Sequence, residues 1–182
     1  MSPHGFDPQA MFAAIERVKI QRGLGWDSVA REMAPPLESR GDRPVDRVQH
    51  PIAASTITRL RGGDGRVVDT TCQHSLVMLR WLGRAPEDFI AQPAEGTAGV
   101  PLPDAPPEFA LRWDLRHTYD ALDDMRMARD ATWAQVASRL HCTPNQLTGL
   151  RTARYGTRMR LAMRIAQALR RPARDFVVVV PR

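Results

Sequence analysis

Apolar residues recur along this chain at helical spacing in two separate stretches, and the second stretch repeats the first almost position by position. Phe6-Asp7, Phe12, Ala14, Ile15, Val18, Arg22, Trp26, Val29, Ala30 and Met33 return at one constant offset as Trp113-Asp114, Tyr119, Ala121, Leu122, Met125, Arg129, Trp133, Val136, Ala137 and Leu140. Further on, Ile57, Thr58, Leu60 and Arg61 match Leu147, Thr148, Leu150 and Arg151. Leu82, Asp88 and Phe89 then match Leu169, Asp175 and Phe176. The matched apolar positions define a shared core, and the chain reads as one small helical unit written twice.

In the first copy, Asp7 is a natural N-cap with Pro8 at the first helical position. Met11, Phe12, Ile15 and Val18 keep helical spacing until Gly23. Trp26 to Met33 predicts a short second helix, closed by Ala34-Pro35-Pro36. Ala34 to His50 has no counterpart in the second copy and, rich in Pro, Arg and Asp, reads as a solvated loop. A third helix is expected from about Ala54 to Arg61. The turn Gly62-Gly63-Asp64-Gly65 follows, then a fourth helix from about Thr71 to Leu82 and a final short turn at Pro86–Ile90.

The second copy has tighter connections. Asp114 caps its first helix, Thr132-Trp133-Ala134-Gln135 is a capping box for the second, and Thr143-Pro144-Asn145-Gln146 is another for the third. A fourth helix is expected from about Arg158 to Leu169. Between the copies, Gln92 to Pro107 carries five prolines and reads as an extended, structureless linker. The expected organisation is therefore 1–91, a 92–107 linker, and 108–182. Val177 to Val180 reads as a terminal strand that either pairs with a strand of another copy, giving a homodimer, or packs on the last turn.

Charge changes this picture toward a polyanionic partner. The net charge is +6; residues 1–92 hold 12 basic and 11 acidic side chains, and residues 93–182 hold 14 and 9. From Arg151 to Arg174 there are eight arginines and no acid, which suits DNA. Lys19 is the only lysine, so arginine abundance alone carries less weight than this clustering. No apolar run approaches the roughly 20 residues that span a bilayer, and the first residues predict no secretory signal, so a cytoplasmic, nucleoid-associated protein is expected. Cys72 and Cys142 read as small buried hydrophobes without a disulfide. Five scattered histidines give no zinc-ligand spacing, so no metal or cofactor is expected. Trp26 and Trp133 read as duplicated core plugs.

Each copy thus places a short helix, a sharp turn and a second short helix with a polar start inside a small apolar bundle, a helix-turn-helix pattern. The Val-Ala pair of the first helix and Ile57 or Leu147 of the second are expected to be buried, because alanine lets the helices cross closely. The segments WDSVAREM with STITRL, and WAQVASRL with TPNQLTGL, resemble the phage lambda-repressor-like, or Xre, family of DNA-binding domains over residues 6–90 and 113–177. The resemblance implies an all-α fold of two tandem lambda-repressor-like helix-turn-helix bundles joined by the Pro-rich linker. It also implies that each second helix enters a major groove about 12 Å wide.

Carried across, the resemblance nominates Ala54, Ser55, Thr58 and Arg59, and Asn145, Gln146 and Thr148, as base-reading residues. Arg59 suits a guanine, and Asn145 or Gln146 an adenine. Arg61, Arg66, Arg151, Arg154 and Arg158 suit phosphate contact. The chain departs from the family at the 34–50 insertion, whose Arg40, Arg43 and Arg47 offer contacts of their own. It departs also at Ala53, where the second copy has the capping Thr143, and at Gly149, which stands where the first copy has Arg59.

The expected function is sequence-specific binding of double-stranded DNA by a transcription regulator, a repressor rather than an activator. Half-sites one helical turn apart are about 34 Å from each other. A flexible linker of roughly 18 residues spans about 24 Å on average, and a Pro-stiffened one up to about 55 Å. Because the copies differ at every nominated reader, an asymmetric site is expected. The alternative is a protein-interaction adaptor or antitoxin-like module that uses the same surface on RNA polymerase or another protein. No paired carboxylates, activated nucleophile or phosphate loop stands in a convincing context, which argues against an enzyme.

Overall fold

The computed structural model describes residues 5–33, 52–62, 68–152 and 156–181. The expected loop at 34–50 and most of the turn after Gly62 lie outside them. The chain is mostly helical. The first repeat comprises α1 (Pro8–Gln21), α2 (Trp26–Met33), α3 (Ala54–Thr58, continued as a 3-10 turn through Arg61), α4 (Cys72–Leu82) and a 3-10 turn at Pro86–Phe89. The second comprises α5 (Leu115–Ala128), α6 (Trp133–Arg139), α7 (Pro144–Thr148, continued as 3-10 through Thr152), α8 (Met159–Ala168) and a 3-10 turn at Ala173–Phe176.

The all-α expectation needs one correction, a two-stranded sheet. Strand β1 (Phe109–Trp113) pairs antiparallel with β2 (Val177–Pro181), Leu111 facing Val179 and Trp113 facing Val177. The terminal valine run is therefore a strand, but its partner lies in the same chain. Alternation in F-A-L-R-W buries Leu111 and Trp113 and exposes Arg112, while the β-branched valines suit a pleated pair. Among the described residues, the first repeat has an isolated antiparallel bridge between Phe6 and Ile90 at the corresponding place.

Duplication extends to detail. In the α1/α5 region a residue's counterpart lies 107 positions on, as Phe6 to Trp113; in the α4/α8 region it lies 87 on, as Leu82 to Leu169. Phe12 stacks on Trp26 at 5.4 Å with Lys19 over the indole. Tyr119 stacks on Trp133 at 5.3 Å with Arg126 over it. Both tryptophans are half-buried plugs with a cation on top rather than fully enclosed core. Arg84 pairs with Asp88 and lies over Phe89; Arg171 pairs with Asp175 and lies over Phe176. The Asp7 backbone amide donates to the Phe89 carbonyl, as that of Asp114 donates to the Phe176 carbonyl. Left-handed backbone recurs too, at Gly23 and Asp130 and at Gly83 and Arg170.

The two repeats share a core. One buried cluster runs from Phe6, Ile15, Val29 and Ile57 through Leu76 and Leu79 of α4 to Met159, Met163 and Ala166 of α8 and on to Trp113 and Phe176. A smaller cluster of Leu122, Val136, Leu147, Leu150 and Ile165 fills the rest of the second repeat. Residues 92–107 form neither helix nor strand, and they are held at both ends by side chains of the central helices. Arg80 of α4 donates to the carbonyls of Ala105, Pro106 and Phe109, and its counterpart Gln167 of α8 accepts from the Ala94 amide beside the buried Thr97. Proline removes backbone donors but leaves carbonyls, and a guanidinium with its forked donors satisfies several of them at once.

Hydrogen bonds join α4 and α8 at both ends. At the starts, the Cys72 amide donates to the Thr157 carbonyl (2.9 Å) and the Met159 amide to the Thr70 carbonyl (2.8 Å). At the ends, the buried Glu87 accepts from the Ala173 amide through Oε1 (2.7 Å), while its Oε2 is buried with no partner among the described residues. The helices therefore lie side by side and run the same way. Burial raises the Glu87 pKa above the ordinary 4.5, helped by the nearby Asp88 and Asp175 carboxylates and opposed by the Ala173 amide.

The folded state thus holds the Glu87 proton where the unfolded chain has lost it. This residue's contribution to stability is greatest below pH 4.5 and declines as pH rises through the raised folded-state value. Glu87→Gln should flatten that decline in denaturation curves measured at several pH values. Glu87→Ala, which strands the Ala173 amide, should cost about 1–3 kcal/mol.

Candidate nucleic-acid interface

Helix α2 buries Val29, Ala30 and Met33, and α6 buries Val136, Ala137 and Leu140 just past its end, so each presents a polar back to solvent. Ile57 and Leu60 anchor α3 with its 3-10 extension, and Leu147 and Leu150 anchor α7. With those side chains turned inward, the starts of α3 and α7 face outward.

In the second repeat the α6–α7 turn is fixed by side chains. Thr132 with Gln135 and Thr143 with Gln146 form complete capping boxes. His141 takes a left-handed φ of 50°. Arg164 of α8 donates to the Leu140 and His141 carbonyls at 2.6 and 3.0 Å, placing a cation on the free carbonyls that end α6. Arg164 was not singled out in the sequence, where it is one of eight clustered arginines. The first repeat has Val77 at that position and holds α2 differently: Glu32 accepts from both Arg22 guanidinium nitrogens and from the Trp81 indole. The Trp81 hydrogen bond, opposed by partial desolvation and reinforced by Arg22, keeps the Glu32 carboxyl below its ordinary pKa.

Of the nominated base readers, Ser55, Arg59, Asn145, Gln146 and Thr148 are exposed, while Ala54 and Thr58 are half-buried. Gln146 is occupied in part: its Oε1 accepts from the Thr143 amide at 2.9 Å. Thr58 and Thr148 turn their hydroxyls back to the Ser55 and Pro144 carbonyls. Asn145, Ser55 and Arg59 are left as the side chains best placed to contact an external partner. Ala53 makes no side-chain cap to α3, as its sequence implies.

The arginines divide. Arg61 is exposed but pairs within the chain, 2.7 Å from Glu16 and over the Phe12 ring. Its counterpart Arg151 is exposed and has no ion pair among the described residues, because Asp123, the equivalent of Glu16, pairs with Arg126 instead. Arg158 precedes α8 and reaches the Asp69 carbonyl at 3.0 Å while remaining exposed. Arg66, Arg154, Arg40, Arg43 and Arg47 lie outside the described residues.

A cleft of about 440 Å³ lies beside the start of α7; its lining includes Asn145, Gln146, His141, Arg158, Arg164 and, from the first repeat, Asp69. Asp69 could not be linked to this surface by its sequence context, since only the contact between repeats brings it there. Its partial burial, opposed by the Thr70 and Arg160 amides and by the neighbouring arginines, raises its pKa. Both cysteines are free; burial, with Asp69 adding to it, pushes the Cys72 thiol far up, so it behaves as an apolar core atom. No described helix is long and apolar enough to cross a membrane.

No protein-family model matches the chain, and no curated protein or solved structure is significantly similar to it.

The two α3-type helices should differ in robustness. Thr143→Ala should lower thermal stability by about 1 kcal/mol, and Ala53→Thr should raise it by up to a similar amount, since one loses and the other gains a side-chain cap. Thermal melts of the two variants beside the parent check both signs.

Proposed function

We propose that the protein is a transcription regulator that binds double-stranded DNA in a sequence-specific manner and acts as a repressor, each repeat serving as a helix-turn-helix unit. One observation carries this reading. Twice in the chain, a helix with a buried Val-Ala pair is followed by a short helix whose apolar side is anchored and whose polar start is exposed. A short rod held in this way can enter a major groove and bring side chains to base edges.

The charge distribution supports the same reading. Exposed Arg151 and Arg158 follow the second of these helices, where phosphates would flank it once inserted, and exposed Arg59 stands on the first, as a candidate base reader. Arg61, paired with Glu16, is the weaker phosphate contact. Occlusion of a promoter by the bound protein needs no more than these two units, and that is the mode of action proposed.

Asn145→Ala should relax preference at one base position, costing about 1–3 kcal/mol of discrimination. Arg151→Ala should weaken all duplexes alike and reduce the slope of log affinity against log salt by about 1. Binding isotherms on a duplex selected from a random pool, repeated at several salt concentrations, check both. Identical effects of the two substitutions, or an affinity insensitive to salt, would contradict the assignment.

A further inference from the structure

The contact between the repeats is reciprocal. Thr71 and Arg158 are counterparts, each the residue capping its helix, and they face each other in an antiparallel bridge. On either side, Cys72 donates to Thr157 and Met159 donates to Thr70. Cys72 and Met159 are counterparts, as are Thr70 and Thr157. Each bond is thus the image of the other under a half-turn about an axis through the bridge. That pattern defines an isologous contact, in which i meets j and j meets i.

The far ends of the helices agree. Arg80 and Gln167, again counterparts, each grip one end of the 92–107 segment, and Glu87 and Ala173 meet just past the two helix ends. Helices α4 and α8 therefore run alongside the axis, with their starts at one end and the connecting segment at the other. A half-turn leaves height along its axis unchanged, so α3 and α7 lie at one level. That level is the end where α4 and α8 begin, because the cleft beside Asn145 and Gln146 includes Asp69 and Arg158 next to the bridge.

We infer that this single chain presents α3 and α7 as an inverted pair, and that one chain binds one duplex carrying two unlike half-sites in head-to-head orientation at a single fixed spacing. Duplex DNA has local two-fold axes perpendicular to its length, and a protein with a matching axis meets its two strands equivalently. The half-sites differ in sequence because the corresponding residues differ, Ser55 standing where the other repeat has Asn145, Thr56 where it has Gln146 and Arg59 where it has Gly149. The inference rests on the DNA-binding reading above and adds orientation, spacing and stoichiometry to it.

The test is selection of duplexes from a random pool with the full chain, followed by a panel in which one selected half-site is reversed or displaced. Expected are inverted half-sites, one chain per duplex by mass, and a loss of about 100-fold or more when one half-site is reversed or moved by half a helical turn. Enriched duplexes with directly repeated half-sites, with spacing that does not matter, with a lone half-site or with two chains bound would overturn this inference and leave DNA binding standing. Enrichment of no duplex at all would overturn DNA binding and this inference together.

A second arm uses the combined variant Ala53→Thr, Ala54→Pro, Ser55→Asn, Thr56→Gln and Arg59→Gly, which gives α3 the polar residues of α7, with proline at the first helical position where it is tolerated. Its selected site should become an inverted palindrome; a direct repeat would contradict the two-fold arrangement. If circular dichroism shows this variant unfolded, the parent spacing panel decides alone.

Discussion

Two backbone hydrogen bonds, from Cys72 to Thr157 and from Met159 to Thr70, join the starts of the two central helices. The first amides of any helix lack intrahelical partners. Here each repeat satisfies one such amide with a carbonyl of the other, at positions removed from water. Leaving either unpaired in a buried setting would cost about as much as a lost hydrogen bond. The pair fixes the helices at one end; at the other, Glu87 fixes them by accepting from Ala173. Between these two ends the apolar side chains of α4 and α8 merge into one core.

Consequences for the exposed helices follow from this frame. Each of α3 and α7 has only five α-helical residues, too few to be stable alone, so their geometry is borrowed from Ile57 and Leu147 and from the turns before them. The second repeat fixes its turn with two capping boxes and Arg164; the first relies on Glu32, Arg22 and Trp81 and lacks a cap at Ala53. The same architecture is therefore reached by different polar devices, while the aromatic stacks and the Arg–Asp–Phe corners are kept in both repeats.

Much of the local structure was legible in the sequence because it depends on nearby residues. Asp7, Asp114, Thr132 and Thr143 cap helices within a few positions of themselves, and Gly23 and Gly83 take the left-handed conformation that ends a helix. The apolar positions matched between copies are buried or half-buried. Long-range pairing was not legible. Nothing near Val177 specifies Phe109–Trp113 as its partner, and prolines in 92–107 indicate an extended backbone without indicating that Arg80 and Gln167 hold it. The candidate site divides along the same line: exposure of Asn145 follows from its place in a capping box, whereas the capture of Arg61 by Glu16 depends on a residue 45 positions away.

Rigidity of the paired repeats is what the whole account requires, and it can be measured without any knowledge of a ligand. Spin labels attached at Ser55→Cys and Asn145→Cys, in a chain whose native cysteines are replaced by alanine, report the separation of α3 and α7 in solution. The account expects a single narrow distance distribution. A broad distribution, of the kind two bundles on a flexible connector would give, would contradict it.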